Sequence, residues 1–274
     1  MSRPLALLSL SIALAASDVE PTKLATADVS PLDPGTIQLS LGLSSSRATT
    51  AFDQQGESSD RGGTLRNRQV DFGFDIGAGY DVELNFALGW LRTDDAAADP
   101  DFGRGPVDAS VGAKWAIHTW ENGDDAIGVG ILPAVTIPLG RNQDPASQIP
   151  TASRTWTAGG VACTSGNFGV IGFNADAGYT HALGSEDDRE GFRGAYVADV
   201  ALGVVVQPWL QPEVNLSWSH DRVDEGPAAW SVIVTAGVEC PFDWGRLSGG
   251  LARVVDGALV DQETSVQLGL AYYL

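Results

Sequence analysis

A chain of 274 residues with 33 Gly, 14 Pro and 43% apolar residues holds frequent backbone punctuation and enough apolar surface for a large β domain or two smaller ones. A formal net charge of −19, with no basic run anywhere in the sequence, excludes a nucleic-acid surface able to release counterions from phosphate. No run of about twenty apolar residues exists, which excludes a helical membrane protein.

Taken in chain order, the first element is an export signal over residues 1–17. Arg3 supplies the positive end, Leu5 to Ala16 the short apolar run and Ala13 to Ser17 the small residues at its close. The acidic, proline-containing stretch 18–33 is expected to be a periplasmic N-terminal segment. From residue 34 to 274 the dominant signal is period-two alternation, which predicts strands. Twelve segments carry it: Ile37–Leu43, Val70–Ile76, Val82–Trp90, Val107–Ile117, Ile127–Ile137, Trp156–Cys163, Ile171–Tyr179, Tyr196–Val206, Leu210–Trp218, Trp230–Val238, Leu247–Leu251 and Val266–Leu274.

The residues between the apolar positions separate a soluble sandwich from a membrane barrel. A sandwich would place Lys, Arg and Glu toward bulk water, whereas here the alternate face is small and polar, as in Asp71-Phe72-Gly73-Phe74-Asp75. The other face carries Leu, Val, Ile and Phe with almost no charge, as lipid demands. Connection lengths also alternate. Long ones are expected at 47–65, 93–105, 139–153, 181–192, 221–228 and 255–263, and short ones at Gly79-Tyr80-Asp81, Ser165-Gly166, Gln207-Pro208-Trp209 and 241–244, with 118–125 a longer turn. Aromatics sort into two levels, Trp90, Trp156, Tyr179, Tyr196, Trp218 and Trp230 near one set of strand ends and Tyr80, Trp115, Trp209, Trp244 and Tyr272 near the other. These features predict an all-β, transmembrane, antiparallel up-and-down β-barrel of about 12 strands in the outer membrane, with both termini in the periplasm. Such a barrel has a backbone diameter of roughly 24 Å and about 12 Å of lumen before inward side chains are added.

Three stretches, "GAGYDVELNFALGW" (77–90), "GPVDASVGAKWAI" (105–117) and "ILPAVTIPLG" (131–140), resemble the outer-membrane family of the MetA pathway of phenol degradation. The resemblance implies an exported barrel that transports small, often aromatic compounds; Leu139 stands where that family often has Thr. The closing strand is similar to the C-terminal recognition signal read by the barrel-assembly machinery, with Leu274 in place of the terminal aromatic. The partners implied are outer-membrane lipid and lipopolysaccharide, the assembly machinery and a small-molecule solute.

Catalytic, cofactor and metal sites are not expected. Ser219 and His220 are neighbours on a strand and point to opposite faces, so they do not form a nucleophile–base pair. His118 and His181 have no partner at metal-ligand spacing. Cys163 and Cys240, 77 residues apart in the sequence, read as buried free thiols. The acidic runs "RTDDAAADPD" and "SEDDRE" lack the pattern of a calcium loop and read as solvated, with a loose cation-bridged contact to lipopolysaccharide as their functional reading. The informative charges are inward: Asp71, Asp75, Glu83, Asp108, Asp176, Glu213 and Glu239, set against at most three cations, Lys114 with Arg246 and Arg253 as further candidates. Two functions accommodate that interior. One is a cation-preferring channel for small molecules, aromatic or hydrophobic ones among them; the other is a structural or sensory barrel with a filled lumen.

Overall fold

The computed structural model describes residues 29–122, 125–139, 144, 146–184 and 191–274. The expected export signal, the start of the segment after it and the run "SEDDRE" lie outside the described residues. Among the described residues fourteen strands form one antiparallel sheet: β1 (Ile37–Phe52), β2 (Ser58–Gly79), β3 (Val82–Asp95), β4 (Phe102–Pro106), β5 (Ala109–Asn122), β6 (Asp125–Ile137), β7 (Trp156–Phe168), β8 (Ile171–Leu183), β9 (Phe192–Val204), β10 (Gln211–Val223), β11 (Trp230–Phe242), β12 (Gly245–Ala258), β13 (Val260–Asp261) and β14 (Thr264–Tyr273). β4 and β5 both pair with β3, and β13 and β14 both pair with β1, so each couple is one interrupted stave and the barrel has twelve.

Closure joins β1 to β14 from Gln38↔Tyr273 to Arg47↔Thr264, and Leu274 exchanges backbone hydrogen bonds of 2.8 and 3.2 Å with Ile37. The apolar closing strand therefore leaves no edge. The outward positions of β2, β3 and β10 include Phe72, Leu84, Val214 and Leu216, all exposed, while the alternate residues Asp75, Glu83, Glu213 and Asn215 are buried in the interior. Lipid rather than water suits an exposed surface of this composition.

At the end where Val29 and Leu274 lie, the terminal mouth, connections are tight. Tyr80 and Asp81 both have φ near +60°, the conformation of a two-residue hairpin that matches strand twist. The expected long turn over 118–125 is corrected: strand pairing runs on through Trp120↔Ile127 to Asn122↔Asp125. At the opposite, loop end, much of 47–65 is strand as well, since β1 reaches Phe52 and β2 begins at Ser58. Alternation fades there because a strand beyond the bilayer has no lipid face, although its backbone pairing persists. Arg61 knits this extension together, donating to Asp95 at 2.7 and 3.0 Å and to Asp261 at 2.8 Å.

β4 would expose an edge above the end of β6. Described residues of loop 138–155 cover it: the Ile149 N–H donates to the Phe102 carbonyl at 2.8 Å and the Thr151 hydroxyl to the Pro106 carbonyl at 2.9 Å. Gly103 is required beneath this loop, because a Cβ there would overlap the Ile149 carbonyl.

Candidate lumen site

Residues 29–34 do not hang below the barrel. They lie inside the terminal mouth against its wall. The Val29 N–H donates to the Ser165 hydroxyl at 3.0 Å, the Ser30 carbonyl accepts from Lys114 Nζ at 2.5 Å, and the Leu32 N–H donates to Glu83 Oε2 at 2.9 Å. Val29 packs on an inward apolar patch of Leu132 and Cys163, with Ala116 and Val161 beside them. The wall is shaped for this segment: a Cβ on Gly77 would overlap the carbonyls of Leu32 and Asp33, and one on Gly128 would press on Val29. The segment thus crosses β2, β3, β5, β6 and β7 on their inner faces.

The polar groups that hold it follow the sheet register. Gln38 is opposite Asp75, Asp75 is opposite Asn85, and Glu83 is opposite Lys114. Gln38 Nε2 donates to Asp75 at 3.0 Å; Asn85 Nδ2 donates to Asp75 at 2.9 Å and to Glu83 at 2.5 Å; Lys114 Nζ lies 3.2 Å from Glu83. Gln38, Glu83 and Lys114 have no measurable exposure. One ammonium, two amides and a backbone N–H therefore meet two carboxylates, while the amide oxygens Gln38 Oε1 and Asn85 Oδ1 are buried with no hydrogen-bond partner among the described residues.

The remaining sequence-predicted residues have separate surroundings. Asp71 accepts from Gln69 at 2.7 Å and is flanked by Gly42 and Gly89, whose lack of side chains leaves room for its carboxylate. Asp108 sits in the break between β4 and β5, where it accepts the N–H of Leu139 at 3.1 Å and of Ser153 at 3.0 Å. It is tied to loop 138–155 rather than to the network. Glu239 faces Arg246 at 3.5 Å on the far wall, beside Gln211 in register. Glu213 is opposite Gly203 on one side and Gly237 on the other. Asp176 is opposite Asp199, which is in turn opposite Ser217.

Sequence reasoning missed Asp199, Gln38 and Asn85, although each alternates with outward apolar residues and could have been found by extending the same count. It also placed Arg253 among the candidate inward cations. The alternation through Leu247 and Leu251 carries Arg253 outward, where it is exposed, and only Arg246 turns in. His220 lies outward beside Trp218, their ring centroids 6.0 Å apart, while Ser219 bonds Ser231 at 2.9 Å, so the two do not meet. Neither cysteine is in a disulfide; Cys163 is buried against Val29 and Cys240 is partly exposed. Among the described residues no group of three His, Cys, Asp or Glu side chains is placed to hold a metal ion.

No family model matches the chain, and no curated protein does. Solved structures do. The COG4313 outer membrane channel from Pseudomonas putida F1 superposes with a TM-score of 0.73 over 90% of this chain and 98% of that one, at 14% identity. The NanC porin superposes with a TM-score of 0.50 over 85% of this chain and 98% of that one, at 8% identity. The fold is that of an outer-membrane β-barrel.

Proposed function

We propose that this protein is an outer-membrane channel for small molecules whose terminal mouth is narrowed by residues 29–34. The observation that carries the reading is an inward polar wall within a closed apolar barrel, combined with a segment held at one mouth by a discrete set of hydrogen bonds. The likeness to a COG4313 outer membrane channel and the resemblance of three stretches to the MetA-pathway family support passage of small compounds, aromatic or hydrophobic ones included. In this reading the first 17 residues direct export, the terminal mouth faces the periplasm, the assembly machinery inserts the chain, and lipid with lipopolysaccharide surrounds it. No catalytic role is assigned.

A second reading, a structural or sensory barrel with a filled lumen, is favoured by one observation: the inserted segment buries the very groups that would otherwise line the mouth. Single-channel recording in planar bilayers separates the two. A channel gives discrete, cation-preferring steps, and deletion of the gene slows uptake of small aromatic compounds. Absence of conductance after heat-modifiable refolding, together with unchanged uptake, would favour the filled barrel.

A further inference from the structure

The sequence contains no basic run, yet the sheet register assembles one. Arg68, Arg92 and Arg104 are direct partners across β2, β3 and β4. One row nearer the loop end, Arg47 and Arg66 are direct partners across β1 and β2, and Thr264 links Arg47 to Arg253 of β12. All six are exposed and share the outward face with Leu43, Phe72 and Trp90. A chain with 35 acidic and 16 basic residues thus gathers six of its cations on one outer flank. Like charges directly opposite in a sheet repel. Among the described residues the only ion pair in this patch is Arg92 with Asp94, at 3.0 Å. An arrangement that costs the free sheet stability is relieved by an anionic partner able to bridge neighbouring guanidinium forks.

The patch also has a fixed relation to the apolar band. Leu43, Val70 and Trp90 form the row beneath Arg68 and Arg92. Alongside, a groove of about 310 Å³ lined by Leu41, Leu43, Leu247, Leu268 and Leu270 opens on the same outer face. A partner fitting both features carries phosphates at the level of the arginines and acyl chains below them. We propose that β1–β4 with β12 and β14 form a binding site for a phosphorylated, acylated glycolipid of the outer leaflet. This rests on the outer-membrane orientation proposed above. It moves the lipopolysaccharide contact from the acidic loops to the arginine flank, with direct guanidinium–phosphate bonds in place of bridging cations.

The test uses the full barrel purified in detergent, with bisphosphorylated hexa-acyl lipid A as the probe and bound lipid counted by native mass spectrometry. Arg68→Gln/Arg92→Gln/Arg104→Gln is compared with Arg222→Gln, an outward arginine elsewhere that lies over the Tyr179 ring. The triple variant is expected to weaken retention at least about tenfold and the control less than about twofold, as follows from losing charge-assisted bidentate bonds. Replacing the same three with Lys keeps the charge but loses the fork, and an intermediate value is expected. Equal retention by the triple variant and the control overturns the proposal. So does displacement of lipid A by an equal concentration of inorganic phosphate, which marks a free-phosphate site, or loss of a sedimenting dimer with lipid binding unchanged, which marks a contact between copies. Should the triple variant not fold, Arg104→Gln alone carries the test, with about a threefold loss expected. Conductance of the same wild-type preparation is recorded in parallel, so a barrel that binds lipid A without conducting ends the channel reading and leaves this site standing.

Discussion

The two walls of the lumen handle charge differently. On β1–β5, each inward carboxylate of the mouth has a donor directly across the register: Gln38 and Asn85 for Asp75, Lys114 for Glu83. On β8–β12, Asp176 stands opposite another carboxylate, Asp199, Glu213 stands between two glycines, and Glu239 has Arg246 only at 3.5 Å. The first wall holds a segment of the chain; the second sets carboxylate against carboxylate on the face of the interior. Counting inward carboxylates therefore misstates the field, because cross-strand partners decide which charges a passing ion would meet.

The largest way to break this contrast is to unbalance the first wall. Lys114→Met leaves Glu83 and Asp75 buried without their ammonium, and removing one partner of a buried ion pair costs about 3–5 kcal/mol. Arg246→Met, on the second wall, should cost less, since its contact with Glu239 is 3.5 Å and its side chain keeps some exposure. Urea unfolding followed by gel mobility before and after boiling ranks the two. Equal losses would mean that both walls are held alike. As an external reference, Val200→Arg, on the outward face where Val200 is 49% exposed, should cost about 2–4 kcal/mol if lipid covers it.

A second way is to push the segment off its wall without touching a charge. Gly77→Val introduces a side chain where the carbonyls of Leu32 and Asp33 lie. The expected result is larger single-channel conductance and faster proteolysis of the N-terminal residues, with the barrel still heat-modifiable. Unchanged conductance would place the narrowest point elsewhere.

The barrel itself was legible because lipid on one side and a polar lumen on the other impose a strict two-residue period, and twelve segments of it were long enough to count. Residues 118–122 and much of 47–65 were illegible for the same reason: strands that leave the bilayer keep their hydrogen bonds but lose the apolar face. The inward side of Asp71, Asp75, Glu83, Lys114, Asp176, Glu213 and Glu239 followed from parity alone. What parity could not supply was register. The pairing of Glu83 with Lys114, the confrontation of Asp176 with Asp199 and the outer row Arg68–Arg92–Arg104 each join residues that are distant in the sequence. Asp108 was misread because the break between β4 and β5 interrupts the alternation that placed it.

The difference between the walls also predicts where selectivity resides. Asp176→Asn/Asp199→Asn should move the reversal potential in a salt gradient toward zero, whereas Asp108→Asn should leave it nearly unchanged while loosening loop 138–155. The shift should shrink at 1 M salt, where the Debye length is about 3 Å. A channel that prefers anions at the outset would contradict the inward assignment of these carboxylates.

The smallest expected effect lies at the loop end, above Trp218, where Asp221 alternates inward with Asn215 and Ser217. Burial pushes its carboxyl from the ordinary 3.8 up to about 6, with the charge of neighbouring His220 opposing the rise. Because the folded chain holds this proton more tightly than the unfolded one, its contribution to stability is greatest below pH 4 and declines as pH rises from about 4 to about 6. The charge itself follows the opposite course: the carboxylate is present above pH 6 and lost below it. Cation preference should therefore weaken modestly between pH 7 and pH 5 with a midpoint of about 6, and Asp221→Asn should remove that step while leaving the larger effect of Asp176 and Asp199 in place. A pH-independent reversal potential in the unsubstituted channel would show that ions do not sense this mouth, and that the second wall sets the preference further in.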